Sequence, residues 1–430
     1  FPAGQKPGAD GVYRTVPETF RFLWWWEEGG SLNWQNNFKV ARAVKAVRLD
    51  VSTWTDAVQS RGQYNELDAG GSWSYSTDPT VIWNELQQAS FIMRSAGKPY
   101  EATLGLNYVS VETTEPDGKK KNLAPTPDDA IGQAWVATGL VPSDALYYWD
   151  VNGYFDGERS QNGRYAVPGS TQALGRALKE EIGPLGTMLQ GVPNAQRPMA
   201  LLLPQSTLWF VAGEGGWNWG VTHYPNMWKK VLANSGIPYD ILTDYNITPG
   251  NLAKYKVIFF PAGMYVQEQV YRELLAAAEA GTRIVVDSYC KQSYPRMTSL
   301  KMKYEYWWTF PKEKQDAYFA EVRGLLAELH ETLRPRLAVS TQGSEGPLLV
   351  NTREADGIKY VVVVNNNRQT GPYSQWTKKP DWRPYGKPQT ARVSIAAPAG
   401  SVVYEFVTSQ QLPAEFKDGR LAVEVALPAA

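Results

Sequence analysis

Residues 255–287 read "YKVIFFPAGMYVQEQVYRELLAAAEAGTRIVVD". The runs "VIFF" and "RIVVD" are short, apolar and bounded by turn residues, which is typical of buried strands. Between them, "QEQVYRELLAAAEAG" has helical spacing of apolar residues and ends in a glycine. Strand, helix and strand in this order predict part of a parallel α/β sheet.

The same pattern continues on both sides of this stretch. "RPMALLLPQ" (197–205) adds a buried strand, and "HYPNMWKKVLANSGIPYDILTD" (223–244) adds a helix, a glycine stop and a short strand. "KEKQDAYFAEVRGLLAELHETL" (312–333) adds a further helix. We therefore expect a doubly wound α/β domain over residues 195–342.

Residues 1–194 also alternate between strand and helix patterns. We predict roughly five strands there, within 21–26, 47–56, 71–77, 99–111 and 144–151. A complete β/α barrel needs eight strands and about 250 residues. The sequence thus predicts either a partial β/α (TIM-like) barrel or an open sheet.

Residues 343–430 have a different sequence pattern, in which strand-like segments follow one another without helical segments between them. "GPLLVNTREADGIKYVVVVNNN" (346–367) contains two strand patterns around Asp356-Gly357, which is a hairpin signal. We expect a small antiparallel β-sandwich at this end of the sequence.

Charge and aromatic content narrow the function classes. Lys+Arg and Asp+Glu both number 43, which argues against nucleic acid and against a polybasic membrane anchor. No run of about eighteen apolar residues predicts a membrane span. The 17 Trp and 24 Tyr residues suit a carbohydrate ligand, because their rings match the apolar faces of sugars. Filling of large cores is the alternative explanation.

Cysteine and histidine are scarce. One Cys and two His exclude an intrachain disulfide and a zinc site of the usual His/Cys type. We expect no metal and no cofactor, and we interpret Cys290 as an inert core residue. The sequence starts at Phe1 without a signal-peptide pattern, so either a leader has been removed or the sequence is a piece of something longer. We favour an extracellular or periplasmic location over a cytoplasmic one.

The order of these three regions resembles the C-terminal portion of a family 42 β-galactosidase-type glycoside hydrolase. The resemblance is carried by "FLWWWEEGG", "TWTD" and "ALYYWD", by "RPMALLLPQ" and "YKVIFFPAGMYV", and by "YVVVVNNNR" and "SVVYEF". It implies a β/α barrel, a domain like a class I glutamine amidotransferase, and a small β domain. An active amidotransferase has a cysteine in the turn after "VIFFPAG", whereas "PAGMYV" has none. We therefore expect a non-catalytic domain.

The resemblance also implies catalytic positions, with an acid/base after the fourth barrel strand and a nucleophile after the seventh. Counting back from "ALYYWD" as the eighth strand, Glu27 and Glu28 follow the fourth strand and Glu112 follows the seventh. The adjoining indoles of Trp24, Trp25 and Trp26 would stack on a sugar and raise the pKa of a neighbouring carboxyl by desolvation. The Asn-Glu pair usual in the family is absent, because Trp26 precedes Glu27.

Further candidates for sugar contacts lie at two other strand ends, where Asp56 ends "TWTD" and Trp149 and Asp150 end "ALYYWD". Retaining glycosidases hold two carboxyl groups about 5–5.5 Å apart, one as the acid and one as the nucleophile. For each carboxylate, a solvated loop charge or a helix cap is the alternative interpretation.

Three hypotheses follow for the whole protein. The first is a glycoside hydrolase, or its C-terminal piece, that cleaves β-linked sugars by a two-carboxylate retaining mechanism. The second is a non-catalytic carbohydrate-binding or structural protein derived from one. The third is assembly, either as a homo-oligomer or with a companion chain that supplies the missing barrel strands. "GEGGWNWGVTHY" (213–224) fits an interface and a sugar-site loop equally well.

Overall fold

The protein is represented by a computed structural model. It describes residues 7–14, 32–55, 66–74, 76, 78–95, 97–105, 111–114, 120–123, 127–148, 170–207, 228–229, 231–233, 235–244, 247–301, 312–342, 344, 346–369 and 385–428. Two larger parallel sheets and several antiparallel sheets make it a mixed α/β structure, as the sequence predicts. The described part begins with the short strand β1 (Val12–Tyr13).

The first parallel sheet contains four strands that follow one another in chain order across the sheet. They are β2 (Trp54–Thr55), β3 (Ala69–Ser74), β4 (Tyr100–Leu104) and, after the hairpin of β5 (Val111–Thr114) and β6 (Lys120–Leu123), β7 (Ala145–Tyr148). Because crossovers between parallel strands are right-handed, consecutive order places the connecting helices on one side of the sheet.

Four helical segments accompany this sheet along the chain. They are α1 (Leu32–Val47), α2 (Pro79–Ser95), α3 (Pro127–Trp135, continued by a π-helical turn over Val136–Leu140) and α4 (Ser170–Ala177, a π-helical turn over Leu178–Ile182, and Gly183–Leu189). The start of α2 is capped as expected, because the Thr80 backbone N–H donates to Asp78 Oδ1 at 2.8 Å. Its end is followed by Gly97 with φ of +69°, the left-handed conformation of a glycine stop.

The second parallel sheet contains five strands in the order β13-β12-β10-β8-β9. The elements of this region are β8 (Met199–Leu203), β9 (Tyr239–Thr243), β10 (Val257–Phe260), β11 (Val266–Gln267), α5 (Glu268–Glu279), β12 (Arg283–Val286), β13 (Met297–Ser299) and α6 (Lys312–Leu333). The direction of chain progress reverses between β9 and β10, which lie on opposite sides of β8. This reversal is the mark of a doubly wound sheet.

Both faces of the second sheet are buried. Alternate residues such as Ile258 and Phe259 point to opposite sides and belong to different apolar clusters. Leu274 of α5 lies in the cluster on one side, and Leu326 of α6 lies in the cluster on the other. Continuous apolar strands are therefore required here, and that requirement explains the strength of the signal in the sequence.

Helix α2 joins the two parallel sheets. Ile82 and Leu86 have no exposed surface, and they share one apolar cluster with Leu104 of the first sheet and Leu201 of the second. On the same helix, the ring centroid of Trp83 lies 5.9 Å from that of Tyr239 in β9. The helix that covers one face of the first sheet therefore also covers part of the second.

The C-terminal part is antiparallel. Its strands are β14 (Val339–Gln342), β15 (Leu348–Ala355), β16 (Ile358–Asn365), β17 (Arg368–Gln369), β18 (Tyr385–Gly386), β19 (Gln389–Ala396), β20 (Val403–Tyr404), β21 (Gln411–Leu412), β22 (Glu415–Lys417) and β23 (Arg420–Leu427). A four-stranded sheet β14-β19-β23-β22 shares a core with the hairpin β15–β16. Asp356 and Gly357 turn that hairpin with φ of 52° and 76°, which confirms the predicted turn.

Buried side chains of β15 hold the three regions together. The Arg353 guanidinium donates to the carbonyl oxygens of Thr138 at 3.0 Å and Leu189 at 3.2 Å, close to the C-terminal ends of α3 and α4. Arg197, which precedes β8, donates to Asn351 Oδ1 at 2.6 Å. Burial lowers the pKa of Arg353 to about 10, and carbonyls at helix C-termini are suitable partners for its charge.

Candidate functional site

The two faces of the first sheet differ. On one face, Ser72 and Tyr100 are buried beneath the helices, and their hydroxyl groups lie 2.7 Å apart. On the other face, large aromatic side chains are exposed: Trp54 by 39%, Trp73 by 41% and Tyr147 by 49%. We call the second face the aromatic face and define it by Trp54, Trp73, Glu101 and Tyr147.

The aromatic face is built by inclined rings. The Trp54 and Tyr147 rings, from the two outer strands of the sheet, approach to a centroid distance of 5.6 Å with an interplanar angle of 37°. Trp54 leans over β3, since a Cβ atom placed at Gly71 would lie 3.1 Å from the Trp54 ring. A glycine at position 71 therefore makes room for the indole. The result is an aromatic floor across the middle of the sheet.

Glu101 lies on the same face, at the second residue of β4, and forms a hydrogen bond with Tyr147. Burial raises the pKa of its carboxyl group, and a hydrogen bond with Tyr147 opposes part of the rise. Glu101 Oε2 is buried and has no hydrogen-bond partner within the part of the chain that the structure describes. The negative charge of Glu101 in turn raises the pKa of the Tyr147 phenol. This pair is the titratable feature of the aromatic face.

Most of the sequence-predicted site residues lie outside the described residues. These are Trp24, Trp25, Trp26, Glu27, Glu28, Asp56, Trp149 and Asp150. The backbone of Glu112 is described, and it lies in β5 opposite Asn122 of β6. No distance between the predicted acid and its predicted partner follows from these positions, so their pairing stays a prediction.

Two of these positions nevertheless directly follow described strands. Asp56 is the next residue after β2, and Trp149 is the next residue after β7. The two strands run in the same direction within one sheet, so their carboxyl ends lie at the same edge. In β/α barrels that edge carries the chemistry. Glu101, by contrast, lies near the amino end of β4.

The aromatic face was not predicted from the sequence, although Trp54 lies in the motif "TWTD" and Tyr147 in "ALYYWD". Trp73 stands between Ser72 and Ser74, and this alternation indicates that the tryptophan points away from the side that the serines share.

A second set of polar groups follows the carboxyl ends of the second sheet. Ala262 occupies the sharp turn after β10 with φ of 53°, and its backbone N–H donates to Asp287 Oδ2 at 2.7 Å. Left-handed backbone at a non-glycine residue is uncommon. We call this turn the elbow; its side chain is a methyl group, so it offers no nucleophile.

Cys290 does not supply the missing thiol. It lies beyond the end of β12, and burial raises the pKa of its thiol to about 12, which leaves it protonated at neutral pH. His330 lies in α6, where burial lowers its pKa, and His223 lies outside the described residues. The described residues contain no cluster of His, Cys, Asp and Glu suited to a metal ion. None of their helices has the length and apolarity needed to cross a membrane.

Comparison with known proteins identifies the class of fold. No protein-family model matches the sequence, and no curated protein matches it. Among solved structures, α-L-fucosidase isoenzyme 2 from Paenibacillus thiaminolyticus aligns with a TM-score of 0.60 at 11% identity, over 91% of this chain and 69% of the fucosidase. Gan42B, a GH42 β-galactosidase from G. stearothermophilus, aligns with a TM-score of 0.55 at 12% identity, over 96% of this chain and 70% of Gan42B.

A third solved structure points to the same class. The β-galactosidase from Bacillus circulans sp. alkalophilus aligns with a TM-score of 0.57 at 12% identity, over 91% of this chain and 66% of that enzyme. The resemblance to family 42 that the sequence motifs predict is therefore confirmed at the level of the fold. Similarity at this identity establishes the fold, and function has to be argued from the site.

Proposed function

We propose that this protein belongs to the glycoside hydrolases and binds carbohydrate over the aromatic face of its first sheet. The observation that carries the proposal is the exposure of Trp54, Trp73 and Tyr147 on the strand face opposite the helices. Exposed indole and phenol rings match the apolar C–H faces of a pyranose, while hydroxyl and carboxyl groups beside them suit its rim. Fold similarity to a β-galactosidase and an α-L-fucosidase raises the prior for this class.

The domain assignment belongs to the same proposal. Residues 1–194 would form a partial β/α barrel, residues 195–342 an amidotransferase-like domain without catalysis, and residues 343–430 a β-sandwich. Two features support it: the consecutive order of parallel strands in the first sheet and the elbow at Ala262 that lacks a nucleophile. A complete barrel would require strands beyond those described, from elsewhere in this chain or from a companion chain, and these strands would enclose the aromatic face as the barrel interior. Sugar binding over the aromatic face is therefore proposed for the open, partial barrel.

For the chemistry we propose a retaining mechanism on β-linked sugars, with Glu27 or Glu28 as the acid/base and Glu112 as the nucleophile. An acid close to tryptophan rings would stay protonated at neutral pH and donate its proton to the departing glycosidic oxygen. Glu101 has a different role in this scheme. Near the amino end of β4 it acts on Tyr147, with which it forms a hydrogen bond, and so positions a ring of the sugar-binding floor.

Hydrolysis of nitrophenyl β-galactoside and nitrophenyl α-L-fucoside tests the catalytic proposal. We expect Glu27→Gln, Glu28→Gln or Glu112→Gln to lower kcat at least about 100-fold, the usual range for loss of an acid/base or a nucleophile. Glu354→Gln, which removes an exposed carboxylate on β15, is the matched control and should retain activity. Full activity in all three site variants would remove these residues from the mechanism.

Binding is measured separately, by titrating galacto-oligosaccharides against tryptophan fluorescence. Trp54→Ala should weaken binding at least tenfold, whereas Tyr404→Ala, which removes an exposed ring from β20, should not. Binding without turnover would favour the second candidate, a non-catalytic carbohydrate-binding protein. The aromatic face favours that candidate, because three of the four side chains that define it are aromatic and suit binding more than catalysis. The absence of both binding and turnover would overturn the proposal.

A further inference from the structure

The strand order of the second sheet reverses, and α/β proteins usually bind ligands in a crevice beside such a reversal. In doubly wound sheets that crevice lies outside the carboxyl ends of the strands, where the strand order reverses. Here the reversal is at β8, between β9 and β10. The groups that follow these strand ends include Ser206 after β8, Asp244 after β9 and Ala262 after β10.

Residues 8–14 of the same chain dock beside this crevice. Strand β1 pairs in parallel with β11, which follows the elbow at Ala262, and the Val266 N–H donates to the Gly11 carbonyl oxygen at 3.1 Å. On the other side, Gln292 Nε2 donates to the Asp10 carbonyl oxygen at 2.8 Å. Val12 and Tyr13 are 1% and 3% exposed, so the docked segment is buried as thoroughly as a core strand.

The side chain of Tyr13 reaches the polar groups of the crevice. Its hydroxyl group donates to Ser206 Oγ at 3.1 Å, and Ser206 in turn donates to Asp244 through its hydroxyl group and through its backbone N–H, the latter at 2.8 Å. Asp244 is buried, and its Oδ1 has no hydrogen-bond partner within the described ranges. Asp244, which follows a strand end beside the order reversal, is therefore linked through one serine to a tyrosine of its own chain.

Gly11 makes this close docking possible. Its φ is +70°, and a Cβ atom at this position would lie 2.2 Å from the Met264 carbonyl oxygen. Met264 is part of the turn that continues from Ala262, since its N–H donates to the Ala262 carbonyl oxygen at 2.7 Å. A side chain at position 11 therefore could not be accommodated without moving this backbone.

We propose that residues 8–14 form a strap that closes the ligand crevice of the second sheet from within the chain. The strap takes the place of a small-molecule ligand: its backbone extends the sheet edge at β11, and the Tyr13 phenol satisfies Ser206. The α/β region thus serves as an anchor for the segment that leads into the first sheet, and not as a second ligand site.

Amide hydrogen exchange on the intact chain tests the strap. The reporter is the Val266 amide, because it donates to Gly11 of the strap. We expect Gly11→Ala to accelerate exchange at Val266 at least tenfold and Tyr13→Phe, which removes only the hydroxyl group, to accelerate it less. Arg14→Ala breaks an exposed ion pair with Asp10 and should exchange like the wild type. Amides of β12 report whether the sheet itself stays folded.

The exchange results at Val266 decide whether the strap is docked as proposed. Wild-type exchange at Val266 in a folded Gly11→Ala chain would overturn the strap. If Gly11→Ala also exposes β12, Tyr13→Phe decides, and unchanged exchange in that variant would overturn the proposal. Sugar binding and turnover play no part in this readout, so failure of the proposed function leaves the test of the strap intact.

Discussion

The two parallel sheets are built from the same kinds of secondary structure, but they differ in the side chains that they expose. In the second sheet, β8 and β10 are buried at every residue, with helices on both faces. In the first sheet, Trp73 of β3 and Tyr147 of β7 are exposed by 41% and 49% on the face away from α2. Both sheets are built from parallel strands with helices in the intervening chain, so local sequence preference does not explain the contrast.

Strand order explains it. A right-handed crossover puts its helix on a side set by the direction in which the chain moves across the sheet. The first sheet keeps one direction from β2 to β7, whereas the second reverses at β8 and so gains helices on its other face. One sheet is therefore organised for stability, and the other presents aromatic side chains that a ligand or further strands can cover. Three substitutions can break or sharpen this comparison.

The largest effect is expected for Phe259→Ala in the second sheet. Phe259 has no exposed surface, and its ring centroid lies 5.7 Å from that of Trp228. Truncation leaves a cavity under a covered face and should lower the free energy of unfolding by about 4 kcal/mol. Urea denaturation of the wild type and the variant measures the difference. A loss below about 1 kcal/mol would mean that this face is not tightly packed.

The same contrast explains what the sequence could predict. Continuous apolar runs such as "VIFF" and "RIVV" are typical of strands in a sheet that is covered on both faces. They were predicted correctly as β10 and β12. The run 47–56 was predicted as a strand, but α1 extends to Val47 and only Trp54–Thr55 is paired. Val47 and Leu49 are more than 80% exposed, so no burial supported the β-branched pattern there.

Helix α4 contains the pair Gly183-Pro184, which is a helix-breaking signal in the sequence. The regular α-helix is interrupted beside this pair, and the helical chain then continues to Leu189. It does so through a π-helical turn over Leu178–Ile182 that ends just before these residues. Because proline has no N–H to donate, a wider turn beside it accommodates the missing hydrogen bond. Local propensity marked the right place, and the interruption takes the form of a π-helical turn instead of a helix end.

The candidate site was harder to predict than the fold. Carboxylates after strand ends could be selected from their positions, but the predicted acids Glu27 and Glu28 lie outside the described residues. The aromatic face depends on which side of the first sheet α2 covers, and that is a tertiary property. Trp54 and Tyr147 are 93 positions apart in the sequence, and no local pattern predicts that their rings meet.

An intermediate effect is expected at Asp244, the buried acid of the covered sheet. Burial raises its pKa from 3.8 to about 6, so between these values the folded protein holds a proton that the unfolded chain has released. The folded state gains this stability below pH about 4. As the pH rises through 6, the free energy of unfolding falls by up to about 3 kcal/mol. Asp244→Asn should remove this dependence.

Urea denaturation at pH 4.5 and pH 7.5 measures the effect as a difference between the variant and the wild type. Relative to Asp244→Asn, the wild type should lose stability at the higher pH. Asp50→Asn, which removes an exposed carboxylate paired with Arg48, should follow the wild type. Parallel pH profiles for the wild type and Asp244→Asn would show that burial of the Asp244 charge does not lower the free energy of unfolding. The second sheet would then be less tightly closed than the burial of its strands indicates.

The smallest effect on stability is expected on the aromatic face. Trp73 is 41% exposed, so Trp73→Ala removes less buried surface than Phe259→Ala and should lower the free energy of unfolding by about 2 kcal/mol. The same urea titration measures it, with Phe259→Ala as the reference for a covered face. A loss close to that of Phe259→Ala would contradict the comparison, because it would mean that Trp73 belongs to a packed interior. A smaller loss combined with weakened oligosaccharide binding would instead show that the first sheet retains its large rings for a ligand, at positions where folding depends less on them.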